Sequence, residues 1–233
     1  MSGSASPIIF KFTPLIMDIV STREELLRHI LAGNRQQAMV LLEDWAGRFH
    51  WRETIRHLLE PTLDEIGKLW MAEEISLAAG YMAGKIAEDV LLKAAQAEEV
   101  VPETLGPVVL GNVEDDYHSL GRKLVAIFLK TSGWKVIDLG NDVPAETFVD
   151  VAVKHQAKII GVSAMMLTTA ENILTIRKEI DRRGLTGKIK LAVGGAIFRI
   201  RPELVAELGG DGTASSAVDT PRLMAELSGL ENT

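Results

Sequence analysis

Beyond residue 106 the chain alternates short apolar runs with amphipathic stretches of helical length, and no other feature limits its fold as strongly. The runs are 107–113, 135–139, 159–163 and 189–193, each bounded by Gly or polar turn residues. Amphipathic stretches fall between and after them, at about 119–132, 145–155, 170–183 and 202–208. A short run at 212–215 and a last helix near 220–227 complete the series. Alternating β and α segments predict a parallel sheet with helices on both faces. Five such strands fit the flavodoxin-like, doubly wound order, in which ligands bind at the carboxyl ends of the strands.

The first hundred residues read differently. Ser21-Thr22-Arg23-Glu24 has the form of a helix start, with Ser21 as N-cap and Glu24 three residues on. Leu26, Leu27, Ile30 and Leu31 follow at helical spacing, and Gly33-Asn34 ends the run. A second helix is expected from about Arg35 to Ala46, and a third from near Trp51 through Pro61 to Trp70, broken or kinked at the proline. A fourth is expected over 77–97. Four helices with short connections suggest an antiparallel bundle. The sequence therefore divides into a tail (1–20), a four-helix bundle (21–98), a linker ending at Gly106, and an α/β domain (107–233).

Composition excludes several classes of function. There is no cysteine among the 233 residues, which removes disulfides, Cys-ligated zinc, iron–sulfur clusters and thiol nucleophiles. With 25 Lys+Arg against 32 Asp+Glu the net charge is −7, so a phosphate-backbone partner is not expected. The apolar stretch 7–20 is interrupted by Lys11, Pro14 and Asp18, too short to span a bilayer and without the features of a signal peptide. A cytoplasmic protein without a membrane segment is expected.

Three strand ends carry distinctive residues: Asp116-Tyr117-His118-Ser119-Leu120-Gly121, then Ser163-Ala164-Met165, then Gly194-Gly195. The Gly-x-Gly-x-x-Gly loop of nicotinamide sites and the Gly-x-x-x-x-Gly-Lys-Ser/Thr phosphate loop are both absent. A phospho-receiver would need an aspartate where Ser163 stands. A zinc hydrolase would need a histidine companion to His118 at ligand spacing, and there is none.

Asp116-x-His118-x-x-Gly121, then 41 residues, Ser163-x-Met165, then 28 residues and Gly194-Gly195, resembles the signature of the cobalamin-binding domain. That domain occurs in methionine synthase, base-off mutases, corrinoid methyl-transfer proteins and cobalamin photoreceptors. The resemblance covers about 107–227, and the segment Gly140 to Val149 also looks like the family's second αβ connection. Met165 stands where the family has leucine, a change that keeps apolar volume.

The resemblance implies cobalamin bound base-off, with His118 as the lower ligand of cobalt in place of the cofactor's own dimethylbenzimidazole. Asp116 would accept the other ring N–H, fix the tautomer and strengthen the ligand. Ser163 would extend that relay or touch the nucleotide tail. Ser119 and Met165 fall inside the same motifs. Gly121 would leave room for the tail, and Gly194-Gly195 would let the backbone approach it. Plainer roles are open for the same residues: Asp116 as a helix cap, Ser163 in a turn, the glycine pair as a turn. His29, His50, His57 and His155 have no partner pattern and read as structural or solvated.

Residues 59–70 and 74–77 resemble the helical cap of corrinoid methyl carriers and light-sensing regulators. Trp70 is the candidate over the cofactor's upper face, with a core aromatic as the equal alternative; Met71, Tyr81 and Met82 are weaker candidates. The chain has Ile75-Ser76-Leu77-Ala78 where carriers often have a Phe-Leu-Pro-like segment, and Gly80-Tyr81 where photoreceptors have Glu-His. The first reading is a methyl carrier, the corrinoid subunit of a methyltransferase system, with cobalt cycling between Co(I) and methyl-Co(III). Methylcobalamin is then the expected form and a methyltransferase the expected partner. The alternative is a sensor using adenosylcobalamin and a regulatory partner. Either is compatible with a homo-oligomer.

Overall fold

A computed structural model describes residues 12–97 and 101–230. They form two compact units, divided after Ala97.

In the helical unit, α1 spans Phe12–Leu31, α2 Arg35–Thr54, α3 Glu60–Met71 and α4 Leu77–Ala97, with a π-helical turn at Ile55–Leu59 between α2 and α3. Leu26, Ile30, Leu42, Trp45, Ile55, Leu58, Leu59, Ile86 and Val90 are buried and supply the core of the bundle. Of the tail expected over 1–20, residues 12–20 are helical instead, and residues 1–11 lie outside the described residues. Pro14 falls in the first turn of α1, where a missing N–H costs nothing. Ser21 is inside the helix and does not cap it. Its hydroxyl and that of Thr22 turn back to the carbonyl of Asp18 at 3.1 and 2.6 Å.

The break between the second and third helices is concentrated at His50, whose φ of 66° and ψ of 160° are non-helical. Pro61 lies in the first turn of α3. It removes the N–H that an α-helix would give to the carbonyl of His57, four residues earlier. The Nε of Arg23, from α1, donates to that carbonyl instead. The helix runs on through the proline, with the π-helical turn Ile55–Leu59 just before it, and the freed carbonyl recruits a tertiary hydrogen bond.

The α/β unit holds four parallel strands, β1 (Leu105–Asn112), β2 (Trp134–Asp138), β3 (Ile159–Ser163) and β4 (Lys190–Gly194), in the order β2-β1-β3-β4. Helices follow the strands: α5 (Leu120–Thr131), α6 (Ala145–Lys154), α7 (Leu167–Ala170), α8 (Ile173–Arg182), α9 (Ala196–Ile200), α10 (Leu204–Glu207) and α11 (Thr220–Ser228). Strand side chains alternate between two cores, as the two-residue period requires. Val109, Ile160, Val162, Leu191 and Val193 pack with Phe148, Ile173, Ile176 and Ile180 of α6 and α8. Val108, Leu110, Ile159 and Ala192 pack with Ala126, Leu129 and Met224 of α5 and α11.

The fifth strand expected at 212–215 is not formed; a single bridge joins Gly212 to Ala192. Gly-Thr-Ala-Ser offers no apolar, β-branched pair to bury on both faces, so pairing ends after one residue. The amphipathic stretch expected at 170–183 forms α8, and the short α7 precedes it. The sheet register places Asn112, Ser163 and Gly194 in one row across β1, β3 and β4. That row is the carboxyl edge of the sheet, where a doubly wound fold places its ligands.

Candidate cofactor site

The loop after β1 turns on Asp116, which is completely buried. Both carboxylate oxygens are fully engaged. Oδ1 accepts from the Nδ2 amide of Asn112 and from the backbone N–H of His118, each at 2.9 Å. The same Oδ1 lies 3.3 Å from Nδ1 of His118. Oδ2 accepts from the backbone N–H of Met165 at 2.7 Å and from the hydroxyl of Thr169 at 2.9 Å. Burial pushes the Asp116 pKa up, but these donors outweigh it and hold the group below the ordinary aspartate value.

His118 has a half-exposed ring, 45% accessible. With Nδ1 toward Asp116, Nε2 is left on the open side, and nothing among the described residues bonds it. The arrangement fixes one ring nitrogen and offers the other as a donor to an electrophile or metal.

A second set of side chains supports the loop from behind. Asn112 ends β1 and is fully buried. Its Nδ2 also donates to the carbonyl of His118 at 3.1 Å, and its Oδ1 accepts from Nε of Arg122 at 2.8 Å. Arg122, nearly buried in the first turn of α5, also donates to Asp138 at the end of β2 and to Oδ1 of Asn141 at 3.2 Å. Asp142 holds the outer side of the loop. Its Oδ1 accepts from the N–H of Asp115 at 2.9 Å and its Oδ2 from the Tyr117 hydroxyl at 2.6 Å. These two bonds depress the Asp142 pKa, the Tyr117 bond foremost, and the same bond raises that of Tyr117.

The sequence candidates are distributed as follows. Asp116 and His118 meet directly, and Met165 joins them through its backbone. Ser119 lies at the N-cap position of α5 without a side-chain cap bond. Ser163 ends β3, and its hydroxyl bonds neither Asp116 nor His118 among the described residues. Thr169 occupies the position on the carboxylate that the relay required. Gly121 faces Ser163, whose Oγ would lie 3.9 Å from an added Cβ. The two adjacent glycines differ sharply. A Cβ on Gly194 would meet nothing within 4 Å, whereas one on Gly195 would stand 1.9 Å from the carbonyl oxygen of Ala164. With a φ of 117°, Gly195 is a requirement of the fold. Trp70, at the end of α3, is 46% exposed in the helical unit and is therefore not a core aromatic there.

Asn112, Arg122 and Thr169 were not singled out from the sequence, and Asp142 entered only as part of the segment Gly140 to Val149. Arg122 had a signal: it lies on the same stripe of α5 as Ala126 and Leu129, and a charge on a buried stripe implies a buried partner. Among the described residues no group of three or more His, Asp or Glu is placed to hold a metal ion. No described helix is long and apolar enough to cross a membrane.

Comparison with known proteins gives this geometry a context. A family described as the B12 binding domain matches residues 106–221, and a second family of the same description matches residues 22–92. The trimethylamine corrinoid protein 1 of Methanosarcina mazei is 34% identical over 155 residues, 66% of this chain and 69% of that protein. The dimethylamine corrinoid protein of Methanosarcina barkeri is 31% identical over 185 residues, 75% of this chain and 85% of that protein. The solved structure of the monomethylamine corrinoid protein of Methanosarcina barkeri superposes with a TM-score of 0.75 at 25% identity, covering 89% of this chain and 98% of that one. Two matched domains, relatives covered over two thirds or more of their length and a shared architecture agree: this chain belongs to the B12-binding corrinoid protein family.

Proposed function

We propose that this chain is a corrinoid methyl carrier that holds its cofactor base-off, with Nε2 of His118 as the lower axial ligand of cobalt. The observation that carries this reading is the His118–Asp116 pair: one ring nitrogen is committed to a buried, fully bonded carboxylate and the other is free. The residues present fit such a group. Neutral imidazole suits a borderline metal, and a carboxylate behind it fixes the tautomer. Gly194 supplies a second point of fit, since a side chain there would occupy the open space at the ligand-binding edge.

Bound at this edge, the corrinoid would supply a cobalt that accepts a methyl group from one partner and yields it to another. The chain's own contribution is orientation. Asp116 holds Nδ1 of the imidazole, and Thr169 with the Met165 N–H holds Asp116. Gly121 and Ser163 flank the space in front, and Gly194 keeps it clear for the nucleotide tail. The names of the relatives support methylated amines as the first methyl donors to test, a methyltransferase as partner, and methylcobalamin as the transfer form.

The test is reconstitution with hydroxocobalamin. The wild type is expected to retain the corrinoid through desalting and give a His-on spectrum, and His118→Ala a water-ligated base-off spectrum. A mutant spectrum identical to the wild type would reject ligation by His118. Methyl transfer from methylcobalamin-loaded protein with a partner methyltransferase supports the carrier. A light-driven change of oligomeric state in adenosylcobalamin-loaded protein, without such transfer, overturns it in favour of the sensor.

A further inference from the structure

We infer that Arg122 is a positioning residue for His118, acting through the side-chain amide of Asn112. The inference rests on His118 as the cobalt ligand and adds the residue that sets how its loop is presented.

Asn112 lies between a group that only accepts and a group that only donates. Asp116, as a carboxylate, accepts; Arg122, as a guanidinium, donates. A primary amide has one edge of each kind, so it can serve both neighbours in one orientation only. In that orientation the two Nδ2 protons reach Oδ1 of Asp116 and the carbonyl of His118, at 2.9 and 3.1 Å. Oδ1 receives Nε of Arg122 at 2.8 Å. Rotated by half a turn, the amide would put its oxygen against the carboxylate and its protons against the guanidinium, two buried repulsions.

Arg122, together with the two acceptors on the loop, therefore fixes which edge of Asn112 faces the loop. The donor edge then spans residues 116 to 118, holding the side chain of the first and the backbone of the last. Arg122 is itself held: its side chain is only 7% exposed, its Nη1 donates to Asp138 and its Nη2 to Asn141. The path from the end of β2, through Arg122 and Asn112, to the imidazole is continuous. No other described side chain bonds both Asp116 and the His118 backbone.

The experiment compares wild type, Arg122→Met, Asn112→Ala and the double variant, with two readouts. In the corrinoid-free protein, NMR of the Asn112 side-chain amide should show two slowly exchanging protons, whose protection is lost in Arg122→Met. In protein reconstituted with cob(II)alamin, electron paramagnetic resonance reports nitrogen superhyperfine splitting from the axial imidazole. The ratio of split to unsplit signal is expected to fall about 10-fold in Arg122→Met, the scale on which partners behind a metal ligand act. Because both residues act on one path, the double variant should lose no more than Asn112→Ala alone. Arg122→Lys keeps the charge beside Asp138 with a single donor group; it should fold and show the same loss of amide protection, which keeps the test decisive if Arg122→Met does not fold. Unchanged amide protection and splitting in either variant, or losses that simply add in the double variant, would overturn the role of Arg122. Absence of nitrogen splitting in the wild type would instead overturn ligation by His118, and the amide exchange would still decide whether Arg122 sets the orientation of Asn112.

Discussion

Oδ2 of Asp116 lies 2.9 Å from the hydroxyl of Thr169, although 53 positions separate the two residues in the chain. The contact places a neutral donor behind the carboxylate that faces His118. Thr169→Ala should remove it at a cost of about 1.5–3 kcal/mol, the range for a hydrogen bond to a charged group, while Thr169→Ser stays close to wild type. Chemical denaturation of the corrinoid-free protein measures both; equal stability of the two variants would contradict the assignment.

Acid sensitivity follows from the direction of the Asp116 shift. Its folded pKa is depressed, so its contribution to stability is complete above the ordinary aspartate value and is lost as pH falls through the folded value. Removing one donor raises the folded value toward the ordinary one. Thr169→Ala should therefore lose less stability than the wild type as pH falls below the ordinary aspartate value, so that the gap between the two narrows in acid, and Asp116→Asn should flatten this part of the profile. Thermal unfolding followed from neutral pH downward tests the sign.

Glu179 offers a second acid-side test away from the cofactor site. Arg182 and Arg183 hold its pKa down to about 2. Its stabilising effect is thus complete above the normal glutamate range and declines as pH falls from that range to about 2. Glu179→Gln should lower the Tm at neutral pH, and the gap to wild type should close in strong acid. A gap that widens with acid would contradict the pairing with the two arginines.

The neighbouring glycines should respond in opposite ways. Gly195→Ala forces a Cβ into the Ala164 carbonyl at a positive φ, and the loss should reach a few kcal/mol or abolish folding. Gly194→Ala places a methyl group in open space. It should unfold like wild type yet bind hydroxocobalamin more weakly, by about 10-fold or more if the methyl group displaces the tail by even a few tenths of an ångström. Denaturation and cobalamin titration of both variants separate the two effects.

In the helical unit, Arg23→Met should leave the His57 carbonyl without the donor that replaces the absent N–H of Pro61. A cost of about 1–3 kcal/mol is expected, read from far-UV circular dichroism on heating. Adding Pro61→Ala should recover part of it, because the backbone donor is then restored.

Much of the α/β unit was legible because strand burial follows apolar runs. The runs at 135–139, 159–163 and 189–193 differ from β2, β3 and β4 by at most one residue at either end. Residues 212–215 misled because the spacing of the series suggested a strand where the side chains cannot support one. Asp116 and His118 were singled out by the spacing of three short motifs between Asp116 and Gly195. Thr169 was not, because its role arises where α7 folds over a distant loop, and no periodicity links the two. Asn112 was hidden by its setting: a polar residue after an apolar run reads as the start of a turn, yet here it is inside. The helix start at Ser21 failed for a local reason. A hydroxyl that can cap a helix can equally bond one turn back within it.

Gly194 and Gly195 divide a two-residue motif between two masters. The backbone of Ala164 demands the second, whereas the first answers only to what fills the open edge. A descendant of this chain that had abandoned its corrinoid would still need Gly195 and would be free to drift at Gly194. On the proposed reading, then, the first glycine is the one whose loss would report that a binder has become an empty scaffold.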